Sequence, residues 1–263
     1  MKSLKFALVC IKKNLKNEKE LKGAFFTSII GMCINNIAFV ILWYSFGKLV
    51  GNLNGWEPMD IFGLYAFSAA SFGLVNSVFS GLAELPRYIT TGNFDKYLLT
   101  PKSTLVKVIT SKISTSAIGD LVFGIVCFVI FTISTKLTFA QILLCLLMFI
   151  ITSVIFFAFM LVCMTISFYF MDGENISNGI YHMGISASLY HGGAFTGILR
   201  IIFIYIMPSL LMGAVPVELI KNTSVTGTLF IIALSLIWLG LSIVFFYKSL
   251  KKYESNNFFG FGG

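Results

Sequence analysis

Charged residues are scarce in this chain of 263 residues: they make up only 11% of it, whereas hydrophobic residues make up 57%. Soluble domains contain about 25% charged residues, so this composition excludes an ordinary water-soluble fold. The scarcity is also uneven, because several long stretches carry no charge at all. The chain is long enough for about six membrane-spanning helices of roughly 20 residues each, with little left over.

The chain also lacks the residue clusters that catalytic and metal sites need. Its five cysteines are Cys10, Cys33, Cys127, Cys145 and Cys163. They are isolated and odd in number, which favours packing roles over disulfides or metal binding. No Walker A, GxGxxG, HExxH or GxSxG motif occurs. A membrane enzyme could draw only on His182, Asp172 and Glu174. The sequence therefore predicts a protein that is not an enzyme, without a nucleotide, metal or cofactor site of its own.

The charge-poor runs predict the membrane-spanning helices directly. Five runs are long enough, and they cover residues 23–47, 61–83, 113–135, 139–170 and 224–247. One carboxylate, Asp120, interrupts the third run. At that depth the Asp120 side chain could have a structural role, in which it caps a helix, reaches the membrane interface or pairs with a neighbouring lysine. The alternative is a contact with a substrate or a gate.

Two segments compete for the remaining crossing. Residues 201–217 are the more apolar, but they number only 17 and include Pro208 and Pro216, which break helical hydrogen bonding. Residues 175–194 are uncharged but polar, and a helix there would need shielding from lipid by protein or a wet cavity. Either choice gives six crossings in total.

The basic residues orient the chain in a cell membrane. With both termini cytoplasmic, fifteen of the nineteen Lys and Arg residues lie inside, as the positive-inside rule requires. The net charge of +8 then indicates orientation and contact with anionic membrane lipid. It does not indicate nucleic-acid binding.

Residues 1–22 predict an amphipathic helix in the inner membrane interface. Four apolar residues recur on one helical face, namely Leu4, Leu8, Ile11 and Leu15. Most of the lysines lie away from that face. The apolar stretch is too short for a signal peptide. A simple stop-transfer anchor remains an alternative.

Residues 84–112 form a charged island between the second and third runs, with five basic and two acidic residues. Within it, Gly92 is expected to end one helical segment, and Pro101 favours the start of another. The turn between them is too small to fold alone and too apolar to stay solvated. We therefore expect it to dock into a groove, through Phe94, Tyr97, Leu98 and Leu99.

This segment resembles the permease subunits of ABC-2-type transporters, in the branch with G-x-x-D-x-Y-L-L-x-P after the second span. The match comprises Gly92, Asp95, Tyr97, Leu98, Leu99 and Pro101. The tail 251–255 and the stretch 189–216 also resemble the family. Two positions depart from it, because Thr100 stands where Arg is usual and His191 where Pro is usual.

The resemblance implies an all-α integral membrane protein with six transmembrane helices, like the type V exporters. It implies an interfacial N-terminal helix, a cytoplasmic coupling helix between spans 2 and 3, and a re-entrant helical hairpin between spans 5 and 6. It also decides the ambiguous region, with 175–195 as the fifth span and 197–217 as the external re-entrant segment.

The resemblance further implies an ATP-driven exporter whose energy comes from a separate ABC ATPase dimer that binds ATP and Mg. A second permease chain, identical or related, would complete the substrate path. The island would contact the ATPase, through Leu85, Arg87, Tyr88, Gly92, Phe94, Asp95, Tyr97, Leu98, Leu99 and Pro101.

Polar groups in the spans mark the path only sparsely, and the 28 phenylalanines supply an apolar wall, which favours an amphiphilic drug, lipid-like molecule or peptide. The candidate path residues are Asn35, Asn36, Ser71, Asn76, Asp120 and His182. Two alternatives stay open. A gradient-driven secondary transporter would need mid-membrane charges and an inverted repeat, which we do not find in the sequence. A non-catalytic membrane anchor or immunity protein is the other.

Overall fold

The computed structural model describes residues 2–20, 22–99 and 101–253, and every regular element within these ranges is a helix. In chain order they are α1 (Lys2–Glu20), α2 (Lys22–Val50), α3 (Asp60–Phe79), α4 (Leu85–Thr90), α5 (Thr104–Ile109), α6 (Thr115–Ser134), α7 (Phe139–Thr165), α8 (Gly173–Ser188), α9 (Gly197–Ile201), α10 (Ser209–Met212), α11 (Ala214–Asn222) and α12 (Val225–Leu250). The predicted all-helical class is confirmed. Thr100, Glu254, Ser255 and the Leu4 side chain lie outside the described residues.

Short turns join these helices. In the described part of the chain, four are 3₁₀ turns, at Ser80–Leu82, Asp95–Tyr97, Ile166–Tyr169 and Gly192–Ala194, and one is a π turn at Ile202–Ile206.

Five helices in the described part of the chain are long and apolar enough to cross a membrane: α2, α3, α6, α7 and α12. Each overlaps one of the five charge-poor runs in the sequence. At 1.5 Å per residue, about 20 residues cover a hydrocarbon core of about 30 Å. The protein is therefore an integral membrane protein.

Helix α3 lies at the centre of the bundle, packed along α6 and against α7. Glycines make the α3–α6 approach close. A Cβ atom on Gly73 would lie 2.3 Å from the backbone nitrogen of Leu121, and one on Gly124 would lie 2.5 Å from that of Ala70. The two helices thus come close at points where one of them carries a glycine and has no side chain.

Hydroxyl side chains fix where three of the long helices begin. The Ser114 hydroxyl accepts a hydrogen bond from the backbone of α6, and the Ser224 hydroxyl does the same for α12. At α7, Thr138 and Gln141 form a reciprocal capping box. The Gln141 amide also donates to the Ile220 carbonyl at 3.2 Å, which ties the start of α7 to α11.

The region predicted as the fifth span contains α8, which ends at Ser188, seven residues before the predicted end at 195. At 16 residues, α8 is shorter than the five long helices. Its last carbonyl lies 2.9 Å from the hydroxyl of Ser68, in the middle of α3. After α8 the chain is irregular except for the 3₁₀ turn at Gly192–Ala194. In that turn the Gly193 carbonyl accepts a hydrogen bond from the Asn54 amide at 2.8 Å.

Residues 197–222 return to the middle of α3 and leave it again. The Met212 carbonyl lies 3.4 Å from the same Ser68 hydroxyl, and Lys221 reaches back to Asp60 at the start of α3, at 2.6 Å. One expectation is corrected here. Pro208 does stand at a break, directly before α10, but Pro216 lies in the first turn of α11, where its missing N–H costs no helical hydrogen bond.

Ion pairs hold this returning segment at the end of the bundle that carries Asp60. Glu218 on α11 receives two hydrogen bonds from the Arg200 guanidinium, one of them at 3.2 Å. The indole N–H of Trp56 donates to the same carboxylate at 3.2 Å. The loop between α2 and α3 is thereby joined to α9 and α11.

Candidate functional site

The charged island lies at the opposite end of the bundle, where it folds into short helices rather than one long helix. Pro86 stands in the first turn of α4, and Gly92 follows the helix with φ +70°, a conformation that favours glycine. The Gly92 N–H donates to the Ile89 carbonyl at 3.2 Å, as in a helix C-cap. The expected helix end at Gly92 is thus present.

The base of the island is closed by contacts between its two ends. Lys112, after α5, forms an ion pair with Glu84, before α4. The Gly81 N–H donates to the Lys112 carbonyl at 3.2 Å. These contacts fix the island to the ends of α3 and α6.

An aromatic cluster anchors the middle of the island to the rest of the chain. Phe94 is fully buried, with its ring centroid 5.6 Å from that of Phe168 and 4.9 Å from that of Tyr253. The Tyr253 hydroxyl also donates to the Asp95 carboxylate at 2.8 Å. The island is therefore packed against the residues that follow α7 and α12.

This cluster corrects the expectation that the whole apolar turn presents itself to a partner. Phe94 and Leu85 are buried within this chain, so their side chains have no free surface for a second protein. Phe94 packs against Phe168 and Tyr253, which are distant in sequence and which no pattern in the sequence places beside it. For Tyr253, the family resemblance of the tail 251–255 was the one indication of a role.

The other predicted contact residues of the island include two partly buried tyrosines and four exposed residues. Tyr88 and Tyr97 lie 5.4 Å apart by ring centroids, and the ammonium of Lys96 lies within 5.0 Å of both rings. By contrast, Leu98 is 42% exposed and Leu99 is 83% exposed. Arg87 and Pro101 are exposed as well. We call these four exposed residues the island surface: Arg87, Leu98, Leu99 and Pro101.

The candidate path residues form separate contacts rather than one lined channel. The Asn36 amide on α2 donates to Asp120 on α6 at 2.6 Å, and both side chains are buried. The sequence left several roles open for Asp120, including a lysine partner, and the structure places an amide of the neighbouring helix beside it instead. The second carboxylate oxygen, Oδ2, is buried and has no hydrogen-bond partner among the described residues.

Two further contacts join α3 to other helices. Asn76 donates to the Tyr181 hydroxyl of α8 at 3.2 Å, and the hydroxyls of Ser71 and Thr152 lie 2.5 Å apart. Asn35 and His182 are exposed instead. These hydrogen bonds therefore join buried polar side chains of different helices, which adds directional contacts to the apolar packing of the bundle.

Replacing Asn36 by leucine is expected to destabilise the protein by about 1–3 kcal/mol, because the buried Asp120 carboxyl then loses its amide donor. Replacing Asn36 and Asp120 together by leucine should recover most of that loss, since no buried polar group is left unsatisfied. Thermal unfolding of the detergent-solubilised single and double variants measures the coupling. Strictly additive effects would show that the two side chains do not interact.

A family described as "ABC-2 family transporter protein" matches residues 30–257 of this chain. These residues include the island, the aromatic cluster, most of α2 and the other four long helices. No curated protein matches the chain, and no solved structure matches it.

Proposed function

This chain belongs to the ABC-2 family of transporter proteins, and we propose that it is the membrane-spanning permease subunit of an ATP-driven exporter. Its energy would come from a separate ABC ATPase that binds ATP and Mg. The family membership supports transport across a membrane. The chain's lack of a Walker A motif supports a partner as the source of energy.

The island surface carries the proposal. Two apolar side chains, Leu98 and Leu99, are exposed on a segment that contains all seven charged residues between α3 and α6. Exposed leucines beside a fixed, folded base suit a groove on a second protein, because burial there removes apolar surface from water. In this proposal Phe94, Phe168 and Tyr253 transmit the movement of the ATPase to α7 and α12.

The proposed topology has six crossings, with both termini and the island in the cytoplasm. In this topology residues 175–195 form the fifth crossing, with α8 followed by irregular chain after Ser188. Residues 197–217 then re-enter the membrane from the outside. The two contacts of Ser68 with Ser188 and Met212 support this arrangement. Irregular backbone at that depth is tolerable when it is packed against protein.

A second permease chain, identical or related, would complete the path for an amphiphilic substrate such as a drug, lipid-like molecule or peptide. Helix α2 supports this part of the proposal, since it exposes large apolar side chains along most of its length. One face of α2 could then contact lipid and another the second chain. The buried Asn36–Asp120 pair would hold α2 against α6 during transport.

Purification of the full-length chain from its native membrane is expected to recover an ATPase with a Walker A motif in a fixed ratio. The recovered complex should hydrolyse ATP in the presence of Mg. A Leu98→Asp variant should recover on the order of 100-fold less ATPase, since a charge replaces an apolar contact.

A Val225→Asp variant is the matched control, because Val225 is an exposed apolar residue at the opposite end of the bundle. It should recover as much ATPase as the unmodified chain. Substrate movement by the purified chain alone, driven by an ion gradient, would contradict the proposal.

A further inference from the structure

A cavity of about 260 Å³ lies between α1 and the island. Helix α1 contributes Phe6, Cys10, Lys13 and Asn14 to its lining, and the island contributes Tyr97, Lys107, Thr110 and Ser111. The Asn14 amide donates to the Thr110 carbonyl at 3.1 Å, which holds α1 against the end of α5. The cavity is thus a defined space between two contacting elements.

Three lysines, one from α1 and two from the island, lie at or beside this space. Lys13 and Lys107 line it, and the ammonium of Lys102 lies 3.9 Å from the centre of the Phe6 ring. No Asp or Glu side chain is among its described lining residues. The surroundings of the cavity are therefore positively charged and suited to an anion.

Lys107 is the unusual member of this group, because only 8% of it is exposed. It donates to the Tyr97 carbonyl, a neutral acceptor. Burial lowers the pKa of the Lys107 ammonium, since desolvation disfavours the charged form. A phosphate bound beside Lys107 would raise that pKa, because a nearby negative charge favours the ammonium form.

Helix α1 places the cavity beside an apolar surface. Leu8 and Val9, in the turn of α1 that contributes Phe6 and Cys10, are exposed apolar residues. An amphipathic helix with lysines on its other side lies at the boundary between lipid headgroups and acyl chains. The lysine ammoniums and the Ser111 hydroxyl at this boundary can donate to the oxygens of a phosphate group. The Thr110 hydroxyl already donates to the Val106 carbonyl at 2.7 Å.

We propose that this cavity binds a phosphate-bearing anion, with the phosphate between Lys13 and Lys107, and that its source is the headgroup of an anionic membrane lipid. The exposed Leu8 and Val9 would lie beside the acyl chains. Basic pockets at the cytoplasmic membrane surface bind anionic headgroups by this combination of charge and adjacent apolar surface. The site joins α1 to the island, so an occupied site would hold these two elements together.

Cys10 provides a direct readout, since it lines the cavity and is partly exposed. The full-length chain in detergent is treated with N-ethylmaleimide, and Cys10 labelling is followed by peptide mass spectrometry. The rate is compared with added phosphatidylglycerol, phosphatidylcholine or inorganic phosphate. Phosphatidylglycerol should slow the labelling of Cys10, whereas phosphatidylcholine should not.

Substitutions test whether the lysines hold the anion. Lys13→Gln should weaken protection by phosphatidylglycerol about fivefold, the effect of one lysine near a membrane surface. Lys107→Gln should do the same, and Lys13→Gln keeps the test valid if Lys107→Gln fails to fold. Lys16→Gln is the matched control, because Lys16 lies on the same helix and is exposed but does not line the cavity.

The outcomes separate the alternatives. Equal protection by phosphatidylcholine and phosphatidylglycerol, or equal effects of Lys16→Gln and Lys13→Gln, would overturn the anion site. Protection by inorganic phosphate alone would overturn the lipid source while supporting the phosphate site. The measurement needs neither transport nor an ATPase, so it stands whether or not the proposed export function is correct.

Discussion

Replacing Leu99 by aspartate is expected to abolish transport while the protein remains folded. Leu99 is 83% exposed, so its replacement disturbs little packing within the chain. In the proposed complex the same side chain lies in an apolar groove of the ATPase. Losing that burial, and desolvating a carboxylate in its place, should weaken the contact on the order of 100-fold.

Transport of an amphiphilic dye and ATP hydrolysis by the reconstituted complex measure this effect together. Both should fall to the level of the separated subunits for Leu99→Asp. Leu99→Met should retain both, because it keeps the size and apolar character of the side chain. Val225→Asp adds the same charge at the far end of the bundle and should leave transport intact. Wild-type transport by Leu99→Asp would rule out the island surface as the coupling contact.

Replacing Gly73 by alanine is expected to destabilise the bundle by about 3 kcal/mol, although alanine normally favours a helix over glycine. The added Cβ would lie 2.3 Å from the Leu121 nitrogen and 2.7 Å from the Ala117 carbonyl oxygen. Both are backbone atoms, which cannot move aside as a flexible side chain would. Helices α3 and α6 would therefore have to separate along their contact.

Gly31 and Gly240 supply matched controls in other long helices, because nothing lies within 4 Å of a Cβ atom at either position. Alanine there should leave stability unchanged or raise it slightly. Loss of monodisperse protein on heating in detergent compares the three variants. Equal stability of Gly73→Ala and Gly240→Ala would show that α3 and α6 do not meet closely at Gly73.

The candidate site was only partly predictable from the sequence. Gly92 as a helix end follows from local conformational preference, which a sequence displays directly. The burial of Phe94 does not, because it depends on Phe168 and Tyr253, which lie more than seventy residues away in the chain. Likewise, Asp120 stood out as a charge within a span, but its Asn36 partner depends on how α2 packs on α6.

The sequence by itself determined the class of the protein and the positions of its long helices, because the length of an apolar run decides whether a segment can cross a membrane. It also located the charged island between two such runs. Only the tertiary structure decided which island residues face outward, where α8 ends, and that lysines of α1 and the island surround one cavity. Each of these depends on contacts between distant segments, and the pattern of residues along a chain does not specify which distant segments will meet.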